Sequence, residues 1–294
     1  MIFWILFPAL CLLSWVLTGV LRRYALAHRM MDIPNDRSSH DVPTPRGGGV
    51  AVVLTFLLGL IVLVSAGLVP ASLFWALFGA GAWIALIGWA DDRRDIPARL
   101  RLIGHFIGAV WALFWLGGMP PLPVFGTVVD LGWVWAVLAV LYLVWLLNLF
   151  NFMDGINGIA GIEAITVCAG GAVLWALTPG GGSFWVLSVL LGAAVAGFLV
   201  WNFPVARIFM GDAGSGFLGV TLGVLSIGAG QAEPELFWGW VILLGAFVVD
   251  ATVTLARRAL RGEKVYEAHR SHAYQHAARI YGHRSEEHTS ELQS

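Results

Sequence analysis

Five short segments of this 294-residue chain carry residue types that do chemistry. DDRRD (residues 91–95) sets Asp91 and Asp92 side by side, with Asp95 one turn on. Adjacent carboxylates repel and raise one another's pKa unless a cation lies between them. Arg93 and Arg94 can be that cation, and so can Mg²⁺, which takes carboxylates together with phosphate oxygens and water. The plainer reading is a solvated helix end with flanking arginines. FMGDAGSGFLG (209–219) sets Asp212 between glycines at the start of an apolar run. Backbone N–H groups can approach a phosphate closely there, and a lone carboxylate is a good magnesium ligand. The alternative is an Asp N-cap with glycines for close helix packing.

NLFNFMDGINGIAG (148–161) spaces Asn148, Asn151, Asp154 and Asn157 three apart, on one face of a helix end. Their amide and carboxylate edges suit a nucleobase or a sugar, unless the segment is a capped helix–loop–helix turn. EAHRSHAYQH (267–276) brings His269, Arg270, His272 and His276 together with Glu267. Histidine and arginine suit diphosphate contact; a basic segment beside a membrane also suits anionic lipid heads. His272 and His276 are four apart, but with no cysteine nearby and no HExxH pattern zinc is not expected. DIPNDRSSHDVPTPRGGG (32–49) is a Pro/Gly/Arg-rich loop, read as a phosphate-facing strap using Arg37, His40 and Arg46.

Such residues need elements to hold them, and composition says which kind. The chain is 59% hydrophobic and 12% charged, with mean hydropathy +0.80. A soluble domain is about 25% charged, so this is an all-α polytopic membrane protein. A net charge of −1 gives no reason to expect nucleic acid. Cys11 and Cys168 both lie in apolar runs and read as small core hydrophobes rather than a disulfide. Stretches long enough to span a bilayer fall at about 2–21, 48–69, 71–90, 102–118, 131–149, 159–178, 183–201, 213–230 and 236–256, nine in all. If the spans alternate, all 17 Lys and Arg fall on one side, and the opposite loops carry only Asp130, Glu233 and Glu235. The positive-inside rule makes the basic side cytoplasmic and the N-terminus external. The first span has no basic residue before it and Arg22-Arg23 after it, as in an uncleaved anchor rather than a removed signal. The same parity puts all five polar segments on the cytoplasmic face. A protein working on water-soluble cytoplasmic material at the membrane surface has this layout.

DDxxD after the third span, NxxNFMDGxxG, NxPxxxxFMGDxGS and a His-rich last cytoplasmic loop together resemble the polyprenyl-phosphate N-acetylhexosamine-1-phosphate transferases, over residues 32–275. That family includes phospho-MurNAc-pentapeptide transferase and the initiators of O-antigen and enterobacterial common antigen. The resemblance implies that a polyprenyl phosphate such as undecaprenyl phosphate attacks the sugar-linked phosphate of a UDP-N-acetylhexosamine. UMP leaves, Mg²⁺ is required with Mn²⁺ able to stand in, and the enzyme lies in the bacterial inner membrane with its site on the cytoplasmic face. The resemblance assigns the metal to Asp212 and the essential carboxylate pair to Asp91 and Asp92. It assigns the nucleotide pocket to Asn151, Asp154, Gly155 and Asn202, with Phe209 stacking on uracil, and the spacing adds Asn157 to the same substrate-binding face. His269 and His272 fall at the diphosphate, beside Arg270, and Arg46 in the strap. A homodimer is left open.

The chain departs from the peptidoglycan branch. It has His269-Arg270-Ser271-His272 where that branch has three consecutive histidines, its single lysine is Lys264, and Asn157 replaces an aspartate. HRSHAYQH and PTPRGGG look more like the surface-polysaccharide initiators. Residues 1–283 are expected to form one multi-pass domain. RSEEHTSELQS (284–294) reads as translated sequencing adapter, so the natural chain is expected to continue into a tenth or eleventh span. Two other classes compete. A transporter or flippase draws support from Asp250 inside the ninth span. A CDP-alcohol phosphotransferase needs a second Asp pair after its DG motif, which DGINGIAG lacks.

Overall fold

The computed structural model describes residues 2–33, 42–94, 96–178, 184–263 and 272–281. The chain runs α1 (Ile2–Ala27), β1 (Met31–Asp32), β2 (Thr44–Pro45), α2 (Gly49–Ser65), α3 (Ala71–Asp91), α4 (Ala98–Leu116), β3 (Leu122–Val124) and β4 (Thr127–Val129). It continues through α5 (Trp133–Met153), α6 (Ile159–Leu177), α7 (Trp185–Asn202), α8 (Asp212–Ala232), α9 (Pro234–Leu243), α10 (Gly245–Leu260) and α11 (Ala273–Tyr281). The strands form two small antiparallel pairs, β1 with β2 and β3 with β4. The chain is a multi-pass membrane protein built almost wholly of helices.

Among the described residues, α1 and α3 to α8 are long and apolar enough to cross a bilayer, seven helices in all. The nine expected segments are all helical, but two differ from the expectation. α2 has only 17 residues, because Gly67 at φ +70° ends it early. The ninth is broken: α9 and α10 meet at 69°. The bend is local: the Leu244 N–H still bonds the Trp240 carbonyl and the Val248 N–H the Leu244 carbonyl, both at 3.0 Å.

The bundle is organised around α8, whose apolar window is wholly buried. It packs against α2, α3, α5 and α9. Its sequence explains why it can sit there: small residues let neighbouring backbones come close. A Cβ at Gly219 would stand 2.5 Å from the Leu146 carbonyl oxygen of α5. On the other side, a Cβ at Gly88 of α3 would stand 2.5 Å from the Asp212 carbonyl. α3 therefore meets the first turn of α8 backbone to backbone.

The cationic loops gather at that end. Arg22 Nε donates to the Arg207 carbonyl (3.1 Å), and Arg93 lies over the Trp89 ring at 3.9 Å. Arg46 Nη2 donates to the Asp92 carbonyl. The β2–α2 strap is stitched to the loop before α8: Phe209 N–H donates to Pro45 O (2.8 Å), Gly48 N–H to Phe209 O (2.9 Å) and Gly49 N–H to Met210 O (2.8 Å).

Gly88→Ala forces α3 off the first turn of α8, an overpacking that costs about 1–3 kcal/mol. The thermal midpoint in detergent should fall clearly, whereas Gly192→Ala, whose Cβ meets nothing closer than 3.6 Å, should leave it near wild type. Equal midpoints would show that α3 and α8 are not in this contact.

Candidate active site

α8 begins where α3 ends, and its first amides lack acceptors within their own helix. Its own N-cap residue, Gly211, has no side chain and sits at φ +76°. Asp92 fills the role from across the bundle. Its Oδ1 accepts from the Asp212 N–H (3.1 Å) and its Oδ2 from the Ala213 N–H (3.4 Å). A Cβ at position 211 would stand 2.6 Å from Asp92 Oδ2, so Gly211 serves both the backbone conformation and the room for this cap. Asp92 is 6% exposed. Burial pushes its carboxyl above the usual range, opposed by the two amides and by Arg46.

Anchoring Asp92 at α8 fixes its neighbour. Asp91 Oδ1 accepts from the Ile96 N–H (2.8 Å), and its Oδ2 is ion-paired with Arg101 of α4. The same Arg101 Nη1 lies 3.4 Å from Asp212 Oδ2. Asp212 Oδ1 accepts from Asn151 Nδ2 of α5 (2.8 Å), and that amide nitrogen also lies 3.2 Å from Ser215 Oγ. Carboxylates from the end of α3 and the start of α8 thus face one another, with one guanidinium between them and one amide fixing the second. They line a cavity of about 210 Å³, with Gly88, Arg101, His105, Asn148, Asn151 and Phe152 among its walls.

The structure therefore brings together Asp91, Asp212 and Asn151 from three separate sequence segments. It turns Asp92 away from the cavity, as a cap. Asp154, just after α5, is half-buried. Its carboxyl is pushed well above the usual range by burial first, then by the Asp212 and Asp92 carboxylates. Gly155 lies under Tyr274, whose Oη donates to the Phe152 carbonyl (3.0 Å). Asn157 and Asn202 bond backbone. Asn157 Nδ2 donates to Pro204 O (3.2 Å); Asn202 Oδ1 accepts from Gly158 N–H (2.9 Å) and its Nδ2 donates to Ile208 O (3.0 Å). Asn202 is buried and holds the 158 and 208 loops together rather than presenting its amide. Phe209 is half-exposed beside the strap it pairs with, and Arg46 bonds the Asp92 carbonyl.

His272 is buried, with Nδ1 3.5 Å from Asp250 Oδ1. Burial pulls its imidazole below the usual range, against Asp250. It lines a different region from Asp91. Asp250 caps α11, accepting from the Ala273 N–H (2.9 Å) and the Tyr274 N–H (3.2 Å). This gives the intramembrane carboxylate a structural role within the fold. His269, Arg270, Arg37 and His40 lie outside the described residues.

Two wall residues escaped the sequence reading. Arg101 counted there only as a topology charge, and His105 was passed over. Their four-residue spacing at the start of an otherwise apolar span puts both on one helix face, a signal that was available.

A helical bundle with a charged cavity at one end, walled by carboxylates, arginine and amides, is a membrane-embedded enzyme acting on charged groups. The chain belongs to glycosyl transferase family 4, whose family model matches residues 74–230. It is 28% identical over 271 residues to the Bacillus subtilis protein named "Probable undecaprenyl-phosphate N-acetylglucosaminyl 1-phosphate transferase", covering 88% of this chain and 72% of that one. It is 38% identical over 208 residues to the phospho-N-acetylmuramoyl-pentapeptide-transferase of Moorella thermoacetica, covering 63% and 61%. It is 29% identical over 308 aligned positions to the decaprenyl-phosphate N-acetylglucosaminephosphotransferase of Mycobacterium tuberculosis, covering 92% and 74%.

The raised Asp154 carboxyl makes a testable sign. A group whose folded pKa lies above its unfolded one contributes stability that is complete below the ordinary carboxylate range. That contribution is lost as pH rises through the folded value. Asp154→Asn stays neutral throughout, so it should melt with wild type near about pH 4 and above wild type near about pH 8. A midpoint difference that does not change between the two would contradict the assignment.

Proposed function

We propose that the chain transfers an N-acetylhexosamine-1-phosphate from a UDP-sugar to undecaprenyl phosphate or a similar polyprenyl phosphate, releasing UMP. The product would be the first lipid-linked sugar of a surface polysaccharide. The observation that carries this reading is the cavity where Asp91, Asp212, Asn151 and Arg101 meet. α4 and α5 also form an open apolar groove of about 600 Å³ lined by residues such as Phe106, Val110, Leu113 and Val140, and α4 passes from the cavity wall at His105 to the groove wall at Phe106. Charged chemistry at the end of a hydrocarbon-lined groove suits a lipid that carries a phosphate. The family membership and the names of the Bacillus and Mycobacterium relatives support the same substrates.

The cavity's donors fit Mg²⁺. Asp91 and Asp212 offer hard carboxylate oxygens into one space, and Asn151 holds the Asp212 carboxylate in place. Among the described residues no three His, Cys, Asp or Glu side chains form a preformed cage. That suits an ion bound through one or two carboxylates, with waters and substrate phosphate completing its shell. When bound, it would neutralise charge on the donor diphosphate. Mn²⁺ has the same preference for carboxylate and water oxygens.

In the reaction an oxygen of the acceptor phosphate forms a bond to the sugar-linked phosphorus. The phosphoanhydride bond to UMP breaks, and its electron pair leaves on the UMP phosphate. The chain's contribution is positioning and field. Arg101 supplies positive charge against two anionic reactants. Asn151, whose amide nitrogen also meets Ser215 Oγ, fixes Asp212, and Asp91 is oriented by the Ile96 amide. The cationic strap and loops at this end would draw the anionic donor in, and by the charge rule this end faces the cytoplasm of a bacterial inner membrane.

The test is UMP release from membranes containing the chain, supplied with undecaprenyl phosphate, a panel of UDP-N-acetylhexosamines and Mg²⁺ or EDTA. Lipid-dependent, EDTA-sensitive release from one donor is expected. Asp212→Asn should lower turnover by at least about 10²-fold with membrane insertion unchanged. Release that persists in EDTA or in Asp212→Asn would remove the metal role, and none from any donor would remove the reaction.

A further inference from the structure

His105 is an ionisable side chain set in the apolar helix α4, one turn further into the span than Arg101. Such a residue inside a membrane segment needs a reason, because it lowers the helix's affinity for lipid. Its Nδ1 is sealed from solvent with no hydrogen-bond partner, although buried polar atoms are almost always paired. The ring borders the same cavity as Asp91, Arg101, Asn148 and Asp212. A nitrogen without a partner keeps its proton at higher cost than its lone pair, so the proton belongs on Nε2, the nitrogen left to serve the cavity.

The position along α4 is informative. Arg101, Leu102 and His105 wall the charged cavity, whereas Phe106, Val110, Leu113 and Phe114 wall the apolar groove. α5 repeats the order: Asn148 and Asn151 belong to the cavity, Val137, Val140 and Leu141 to the groove. His105 is therefore the last polar group on α4 before the groove begins. Asn148 lines the same cavity, with its own Nδ2 committed to the Val144 carbonyl (2.7 Å) and its Oδ1 left as an acceptor.

We propose that His105 is a binding residue for the acceptor, donating from Nε2 to the phosphate of the polyprenyl phosphate where its hydrocarbon chain enters the groove. This rests on the proposed transferase reading and deepens it, because it names the group that distinguishes the phosphorylated acceptor from the bare alcohol. Arg101, held between two carboxylates, contributes charge but has little freedom to follow the lipid. A neutral donor at the cavity mouth adds a directed bond without adding a charge to the membrane segment.

Two measurements test it on the full chain in detergent. In the first, steady-state kinetics compare wild type with His105→Leu and His105→Gln. His105→Leu should raise KM for undecaprenyl phosphate about tenfold, the loss of one hydrogen bond to a charged group. KM for the UDP-sugar and kcat should change less than about twofold by the same argument. His105→Gln, which keeps a donor of similar reach, should recover most of the loss. In the second, thermal stabilisation by undecaprenyl phosphate is compared with that by undecaprenol. Wild type should prefer the phosphate; His105→Leu should narrow that preference by about tenfold while responding to the alcohol as wild type does. A KM for the lipid unchanged in His105→Leu, an equal rise in both KM values, or an intact preference for phosphate in the binding assay would each overturn the proposal. If wild type releases no UMP, the transferase reading fails, and the binding assay still decides whether His105 meets the phosphate.

Discussion

The N-terminus of a helix buried from Ala213 to Gly230 is the constraint on which this fold turns. Four amides at such an end lack helical partners, and an apolar bundle has no water to offer them; each left bare is costly. α8 has no capping side chain of its own, and Asp92 of α3, 120 positions earlier, supplies the acceptor. That one interaction fixes the end of α3 against the start of α8. The close approach at Gly88 and the open conformation of Gly211 are what allow it. The same interaction sets Asp91 and Asp212 into one cavity, because each is the chain neighbour of a group in the cap.

A second consequence is electrostatic. Asp91, Asp92, Asp154 and Asp212 are gathered at one end of a low-dielectric bundle, where like charges repel one another. Arg101 and Arg46 offset part of that repulsion, one from α4 and one from the strap before α2. What remains is a region that favours a cation and hydrogen-bond donors, surrounded by basic loops that favour anions. Phosphate chemistry assisted by a divalent ion asks for both at once. The bundle uses the same device elsewhere: Asp250 of α10 caps α11. Carboxylates in this chain thus hold helix ends in place across helices.

The architecture was legible because hydropathy is local. All nine apolar segments read from the sequence are helices. The short α2 ends at Gly67, within its own apolar segment, and the bend between α9 and α10 was not legible because hydropathy stays high across it. The meeting of Asp91, Asn151 and Asp212 followed from placing their segments at one membrane face. The difference between Asp91 and Asp92 could not be read: successive residues on a helix point about 100° apart, and only the position of α8 decides which carboxylate enters the cavity. Asn202 looked like a pocket amide for the same reason, and only tertiary contact reveals that both ends of its amide bond backbone. Arg101 and His105 were within reach; counting cations for topology hid the pattern they make.

The central claim is that two adjacent carboxylates divide their work, Asp92 holding α8 in place and Asp91 facing the chemistry. Comparing Asp91→Asn with Asp92→Asn in one preparation, for thermal midpoint and for single-turnover release of UMP, tests it directly. The account predicts that Asp91→Asn keeps a midpoint near wild type and loses turnover. It predicts that Asp92→Asn melts earlier and loses turnover only in proportion to the protein that unfolds. An Asp92→Asn enzyme as stable as wild type but inactive, beside an Asp91→Asn enzyme that still turns over, would contradict it.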